Sequence, residues 1–271
     1  MKRKLPPMSA LEDAISRTFG NTGFALRLTL TWALVLAPFA VAAALFVRAH
    51  PELDVKNLPP TVMAGAAVLI AMAVLAILSI NVNWHRRLLL NETPRGLAWI
   101  RLNGPVWRYL FHLIFIAMVM TALIGLPIAG FIHWKPLLQD RLGPLLPALT
   151  IAGGAILAIA AQVCLYRLSF KLPATSIGRR DYGFAKAWRD SRGNTLRFMG
   201  FSFWLYFSVA ICAAIGAAAF FAQGLIHNPL SPAAAIGLIA ILSWLYVFLL
   251  FTIAASLYSF FGENRDFPES V

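Results

Sequence analysis

Six long apolar blocks limit what this chain can fold into: residues 28–47, 62–80, 106–132, 144–165, 199–221 and 233–259. A bilayer core about 30 Å thick needs roughly 20 successive apolar residues per helix. Only helices and closed barrels satisfy their backbone polar groups in hydrocarbon. The third and sixth blocks exceed the required length, so they are predicted to tilt or to project from the membrane. Composition points the same way. The chain is 60% hydrophobic and 13% charged, whereas a soluble domain carries about 25% charged residues. The expected fold is all-α: a polytopic membrane helix bundle of about six spans, forming one integral membrane domain over 1–271.

Charge placement orients the bundle. The N-terminal segment, connections 2–3 and 4–5, and the C-terminus hold 5, 5, 8 and 1 Lys and Arg residues. The three opposite loops hold only Arg48, Lys56, Lys135 and Arg141 of the 23. This 19-to-4 asymmetry predicts that both termini are cytoplasmic. The net charge of +12 then reports topology and anionic lipid headgroups. Nucleic acid is not an expected partner, because the cations are spread along the membrane boundary. Met1-Lys2-Arg3-Lys4 resembles a signal-peptide n-region, but Glu12, Asp13 and Arg17 follow where an apolar core belongs. A cleavable leader is therefore not expected.

The connections on the basic side resemble one another. Residues 9–19 place Leu11, Ala14, Ile15, Thr18 and Phe19 on one helical face. Ser9 and Glu12 form a capping-box pattern, and Gly20-Asn21 supplies a stop. A second amphipathic helix is predicted from Thr93-Pro94, with Thr93 as its cap, to Asn103-Gly104. A third is predicted near Asp181, with Phe184, Ala185 and Trp188 on its apolar face, stopping at Gly193-Asn194. Each precedes an odd-numbered span, and Gly20-Asn21-Thr22 matches Gly193-Asn194-Thr195. The pattern reads as three parallel two-span units, 9–92, 93–179 and 180–262, each led by an interfacial helix. Trp84, Tyr166 and Tyr258, at the inner ends of the even spans, read as an interfacial aromatic belt. Gly153-Gly154-Ala155 and Ala213-Ala214-Ile215-Gly216-Ala217 are predicted to allow close helix approach. Pro38, Pro127 and Gly216 fall at similar depths in the odd spans.

Several stretches carry a resemblance. They are Trp84-His85-Arg86-Arg87-Leu88-Leu89-Leu90-Asn91-Glu92-Thr93-Pro94, the segment 167–178 with Leu172-Pro173-Ala174, Ala187-Trp188 with Arg192-Gly193-Asn194, and Ser256-Leu257-Tyr258. Together they resemble a broad group of uncharacterised bacterial inner-membrane proteins. That group is similar to the membrane domain attached to some glycerophosphodiester phosphodiesterases. The resemblance implies a six-helix bundle in a bacterial inner membrane and brings no catalytic residues.

Chemistry is sparse. The spans have no Asp, Glu or Lys in their central thirds, which disfavours a proton or ion relay. HExxH, Walker A, GxSxG and GxGxxG patterns are absent. No cofactor and no metal site is predicted. Cys164 and Cys212 read as packing residues. Glu92 beside Arg86 and Arg87 is the best candidate acid, and a surface ion pair is its simpler reading. His50, His133 and His227 recur one per outer connection. They make a metal site only if they converge, and a helix C-terminus favours a protonated histidine without one. The expected binding residues are for anionic lipid: Arg86, Arg87, Arg179, Arg180, Lys186, Arg189 and Arg192. Three functions fit, in this order: a scaffold, assembly factor or accessory subunit with a protein partner in the membrane; a permease or flippase-like carrier of lipids or small amphiphiles; and a lipid-headgroup enzyme using Arg86, Arg87 and Glu92.

Overall fold

The computed structural model describes residues 3–50, 59–225 and 232–267, without the side chains of 212, 213 and 215–236. Those residues are helical, with no strand among them. In chain order the helices are α1 (Pro7–Gly20), α2 (Thr22–Ala49), α3 (Pro60–Leu90), α4 (Gly104–Leu142), α5 (Leu146–Ser169), α6 (Lys171–Ser176), α7 (Phe184–Asp190), α8 (Thr195–Leu225) and α9 (Pro232–Gly262). Four stretches are long and apolar enough to cross a membrane: Thr22–Ala49, Pro60–Leu90, Gly96–Ser176 and Gly237–Gly262. The third of these contains both α4 and α5. Thr195–Ile211 is a shorter apolar helix.

Side chains are buried mainly at one end of the molecule. Here the C-terminal parts of α3, α5 and α9 meet the N-terminal parts of α2, α4 and α8. Trp84, Phe170, Ala174, Tyr182, Phe198, Phe201 and Tyr258 have no exposed surface. Toward the other end, α2, α3, α4 and α5 present apolar side chains in nearly every direction, with Leu34, Leu45, Ile70, Leu126 and Ile151 all exposed.

Helix α1 belongs to this packed end. It lays Ala10, Leu11, Ala14 and Thr18 against α8 and α9. A capping box does not start it: the helix begins at Pro7, and no side chain caps it. Pro7 has no N–H to satisfy and a φ already suited to a first turn, so the start falls before Ser9. The stop at Gly20 and Asn21 agrees with the sequence reading.

The second predicted interfacial helix is only a 3-10 turn, Gly96–Trp99. The Thr93 hydroxyl accepts from Arg87 Nη1 (3.2 Å) and caps nothing. The Ala98 and Trp99 carbonyls accept from Asn83 Nδ2 (3.3 and 3.2 Å). Ser79 Oγ takes the Arg101 N–H (2.9 Å). Tertiary partners thus take the backbone and side-chain groups that a longer helix would use. The third helix, α7, turns Ala187 and Ser191 inward, while Trp188 remains exposed beneath the Arg167 guanidinium.

The presumed aromatic belt is core. Trp84 and Tyr258 are fully buried and Tyr166 nearly so. Each polar tip finds a protein partner in place of the membrane interface. Trp84 Nε1 donates to Thr252 Oγ1 (3.0 Å), Ser202 Oγ donates to Tyr166 OH (3.3 Å), and Arg179 Nη1 donates to Tyr258 OH (3.4 Å).

At the opposite end, α4 runs 39 residues, through Pro127, His133 and Pro136. That is about 58 Å at 1.5 Å per residue, well beyond a bilayer core. The connection to α5 is a tight turn through Gly143, at φ +48°, followed by a single 3-10 turn. Gly153 and Gly154 face open space among the described residues.

Candidate anion-binding site

Short helix α6 lies at the centre of the packed end, and every residue from Lys171 to Ser176 is buried. It closes with a Schellman motif. The Gly178 N–H donates to Thr175 O (3.0 Å) and the Arg179 N–H to Ala174 O (2.9 Å). Gly178 stands at φ +85°, where a side chain is disfavoured. This turn brings Arg179 and Arg180 back beside Lys171 and Thr175, which lie one helical turn apart on α6. Across from them, Arg108 and His112 lie one turn apart at the start of α4. These seven residues, Gly178 included, line a cavity of about 210 Å³.

Its electrostatics are lopsided. Four cations line the cavity, and one carboxylate pairs with them: Asp181 accepts from Arg179 Nη2 (2.8 Å) and Nε (3.3 Å). This pairing holds the Asp181 carboxyl below its usual range and the Arg179 guanidinium above its own. Among the described residues Arg108, Lys171 and Arg180 make no ion pair. Lys171 is the telling one, because only 7% of it is exposed. Its stem is packed, and its ammonium, which has no ion-pair partner among the described residues, reaches the cavity, where water or an anion meets it. The Thr175 hydroxyl is committed to the Lys171 carbonyl (2.7 Å). His112 turns Nδ1 to the Arg108 carbonyl and rests its ring near Phe184 (5.5 Å).

Of the residues expected to meet lipid, Arg179 and Arg180 enter this cavity. Arg86 and Arg87 do not. Arg86 is tied to Glu92 through Nε (2.7 Å) and Nη2 and donates to Ser176 O (3.0 Å). Glu92 also receives Arg101 Nη2 (2.7 Å). Two guanidinium groups, Arg86 foremost, hold its carboxyl below the usual range. Arg87 donates to Asn21 Oδ1 (3.1 Å) and lies over Phe24. These two arginines brace the ends of α1, α3 and α6. Lys186 stands 3.8 Å from Asp181, and Arg189 and Arg192 are exposed on and just after α7.

Sequence reasoning missed Arg108 and Lys171. Their only local signals are the four-residue spacings Arg108–His112 and Lys171–Thr175. Neither shows that α6 will fold against α4. The three-histidine idea falls partly outside the described residues, which exclude His227. His50 turns Nδ1 to Phe46 O (3.0 Å), and His133 packs edge-on against Trp134. Among the described residues no group of three or more His, Cys, Asp and Glu side chains is arranged to hold a metal ion.

Fold and site together define a class: an all-helical protein with several helices suited to crossing a membrane and a cationic cavity where those helices pack. No family model matches the chain, and no curated protein or solved structure matches it.

Proposed function

We propose that the protein is a non-enzymatic integral component of a bacterial inner membrane: a scaffold, assembly or accessory subunit crossing six times in three two-span units. Both termini and the packed end face the cytoplasm, where the basic surface gathers anionic lipid. The placement of burial supports this reading. Interlocked side chains and most cations share one end, while the remaining helix length offers apolar surface for lipid or a membrane partner. The resemblance to the membrane domain of some glycerophosphodiester phosphodiesterases fits the same plan.

The headgroup-enzyme reading is weaker, because Glu92 is clamped by Arg86 and Arg101. A carboxylate so held suits bracing better than proton transfer. A carrier of lipids or amphiphiles keeps one supporting observation, the open apolar strip along α4 that includes Ile114, Met118 and Leu126.

Mild-detergent purification of the tagged chain from its membrane tests the scaffold reading. A stoichiometric membrane-protein partner and enriched anionic lipid are expected. A chain that isolates alone and moves lipid between leaflets in proteoliposomes overturns it in favour of the carrier.

A further inference from the structure

The cationic cavity and the apolar strip on α4 lie in sequence along one helix. Arg108 and His112 line the cavity, and Ile114, Ala117, Met118, Thr121, Ala122, Gly125 and Leu126 form an open, mostly apolar strip along one side of α4. Eighteen residues, the interval from Arg108 to Leu126, are five turns at 3.6 residues per turn. Leu126 alone of these stands on the same face as Arg108; the others are centred about a quarter turn further round α4. Residues 114–126 rise about 18 Å, close to half of a bilayer core about 30 Å thick. A charged recess at the helix start and an exposed apolar strip about one leaflet deep on a neighbouring face of the same helix suit the two ends of a single amphiphile.

We propose that this pair of features is a binding site for an anionic membrane lipid with a phosphomonoester headgroup. The phosphate lies among Arg108, Lys171, Arg179 and Arg180, and an acyl chain lies along α4. The proposal rests on the inner-face reading above. Four cations against the single carboxylate of Asp181 leave more positive charge than a carboxylate or phosphodiester balances. A phosphomonoester carries about −1.5 to −2 near neutral pH. Arginine forks match its oxygens, and the lysine supplies a compact charge. The cavity, about 210 Å³ and open on one side, admits a phosphate group together with water. The Lys171 ammonium, which lacks an ion-pair partner among the described residues and faces the cavity, acquires one.

The test uses the full-length chain, delipidated in mild detergent. It is titrated with a phosphatidate, a phosphatidylcholine of the same chains, and inorganic phosphate, with bound ligand read by native mass spectrometry and competition. Phosphatidate is expected to bind at least about tenfold more tightly than either alternative. Lys171→Gln and Arg108→Gln are each expected to weaken it about tenfold, the scale of one charge-assisted hydrogen bond. Lys171→Arg restores most of the loss. The exposed pair Arg189→Gln and Arg192→Gln changes affinity less than about twofold. Ala122→Trp, which obstructs the strip, weakens phosphatidate and leaves inorganic phosphate unchanged.

Equal losses from the Lys171 and Arg189/Arg192 variants would reveal diffuse surface attraction and overturn the site. Inorganic phosphate binding as tightly as phosphatidate would overturn the lipid. If Lys171→Gln fails to fold, exposed Arg180→Gln carries the same test, and unchanged binding there overturns the proposal. Reporter fusions placing the packed end outside the cell would remove the inner-face reading while leaving binding in detergent intact.

Discussion

Glu92 accepts from Arg86 on one oxygen and Arg101 on the other, so its charge joins the end of α3 to the segment entering α4. Its folded pKa lies below the ordinary 4.5. The stabilisation is therefore complete above the unfolded value and disappears as pH falls through the lowered folded value. At 31% side-chain exposure solvent screens the pairs, and about 1 kcal/mol is the expected size. Glu92→Gln should unfold at a lower temperature than the parent at pH 7, and the gap should narrow as pH falls below the ordinary glutamate value and close below the lowered folded one. Melts in detergent across this range decide it. A gap that persists in acid would mean that shape, not charge, is responsible. The sequence showed Glu92 beside Arg86 but not its second clamp, because Arg101 reaches it only when 92–103 folds back along α3. Lys171 was overlooked for a related reason. On paper it is one more basic residue in a charged connection, and only the packing of α6 among other helices brings it to the cavity.

Among the elements, the long helices were plain in advance. Runs of some 20 apolar residues have few folded alternatives, and α2, α3 and α9 contain the blocks that announced them. Short elements were less legible, since a turn of helix has little stability of its own and follows its neighbours. The segment after Thr93 is a 3-10 turn because Asn83 and Ser79 claim its polar groups. The stretch around His133 and Pro136 continues α4 where a loop was expected. Burial along α2 yields a direct comparison. Leu28 is fully buried against α3 and α9, whereas Leu34, under two turns further on, is 75% exposed. Leu28→Ala should cost about 2 kcal/mol or more, and Leu34→Ala no more than about 0.5 kcal/mol. Denaturant unfolding in micelles measures both. Equal costs would show that the outer half of α2 packs as tightly as the inner.

For the molecule as a whole, the cationic asymmetry and the site of packing lead to one topological prediction. Reporters fused at the C-terminus and after residue 180 should both read cytoplasmic, and one inserted near residue 142 should read periplasmic. A periplasmic C-terminus would reverse the orientation and separate the proposed headgroup site from the inner leaflet. The N-terminal segment adds a structural reason to expect the termini on one side. Arg3 pairs with Asp266 and donates to Phe260 O (2.6 Å), while Asn194 grips the backbone at Leu5 (2.8 Å) and Arg3 (3.0 Å). Both chain ends are thus bound to the same face.

By itself the sequence determined that the chain is helical and apolar enough for a membrane, and which connections carry its charge, because hydropathy and charge are properties of local composition. Only the tertiary structure decided that Trp84, Tyr166 and Tyr258 are core, that Arg86 and Arg87 are braces, and that Arg108 and Lys171 share a cavity with Arg179 and Arg180. Those outcomes depend on which side chains, up to 168 residues apart in the pairing of Trp84 with Thr252, come within hydrogen-bond reach. Chain-local patterns hold no record of such distances.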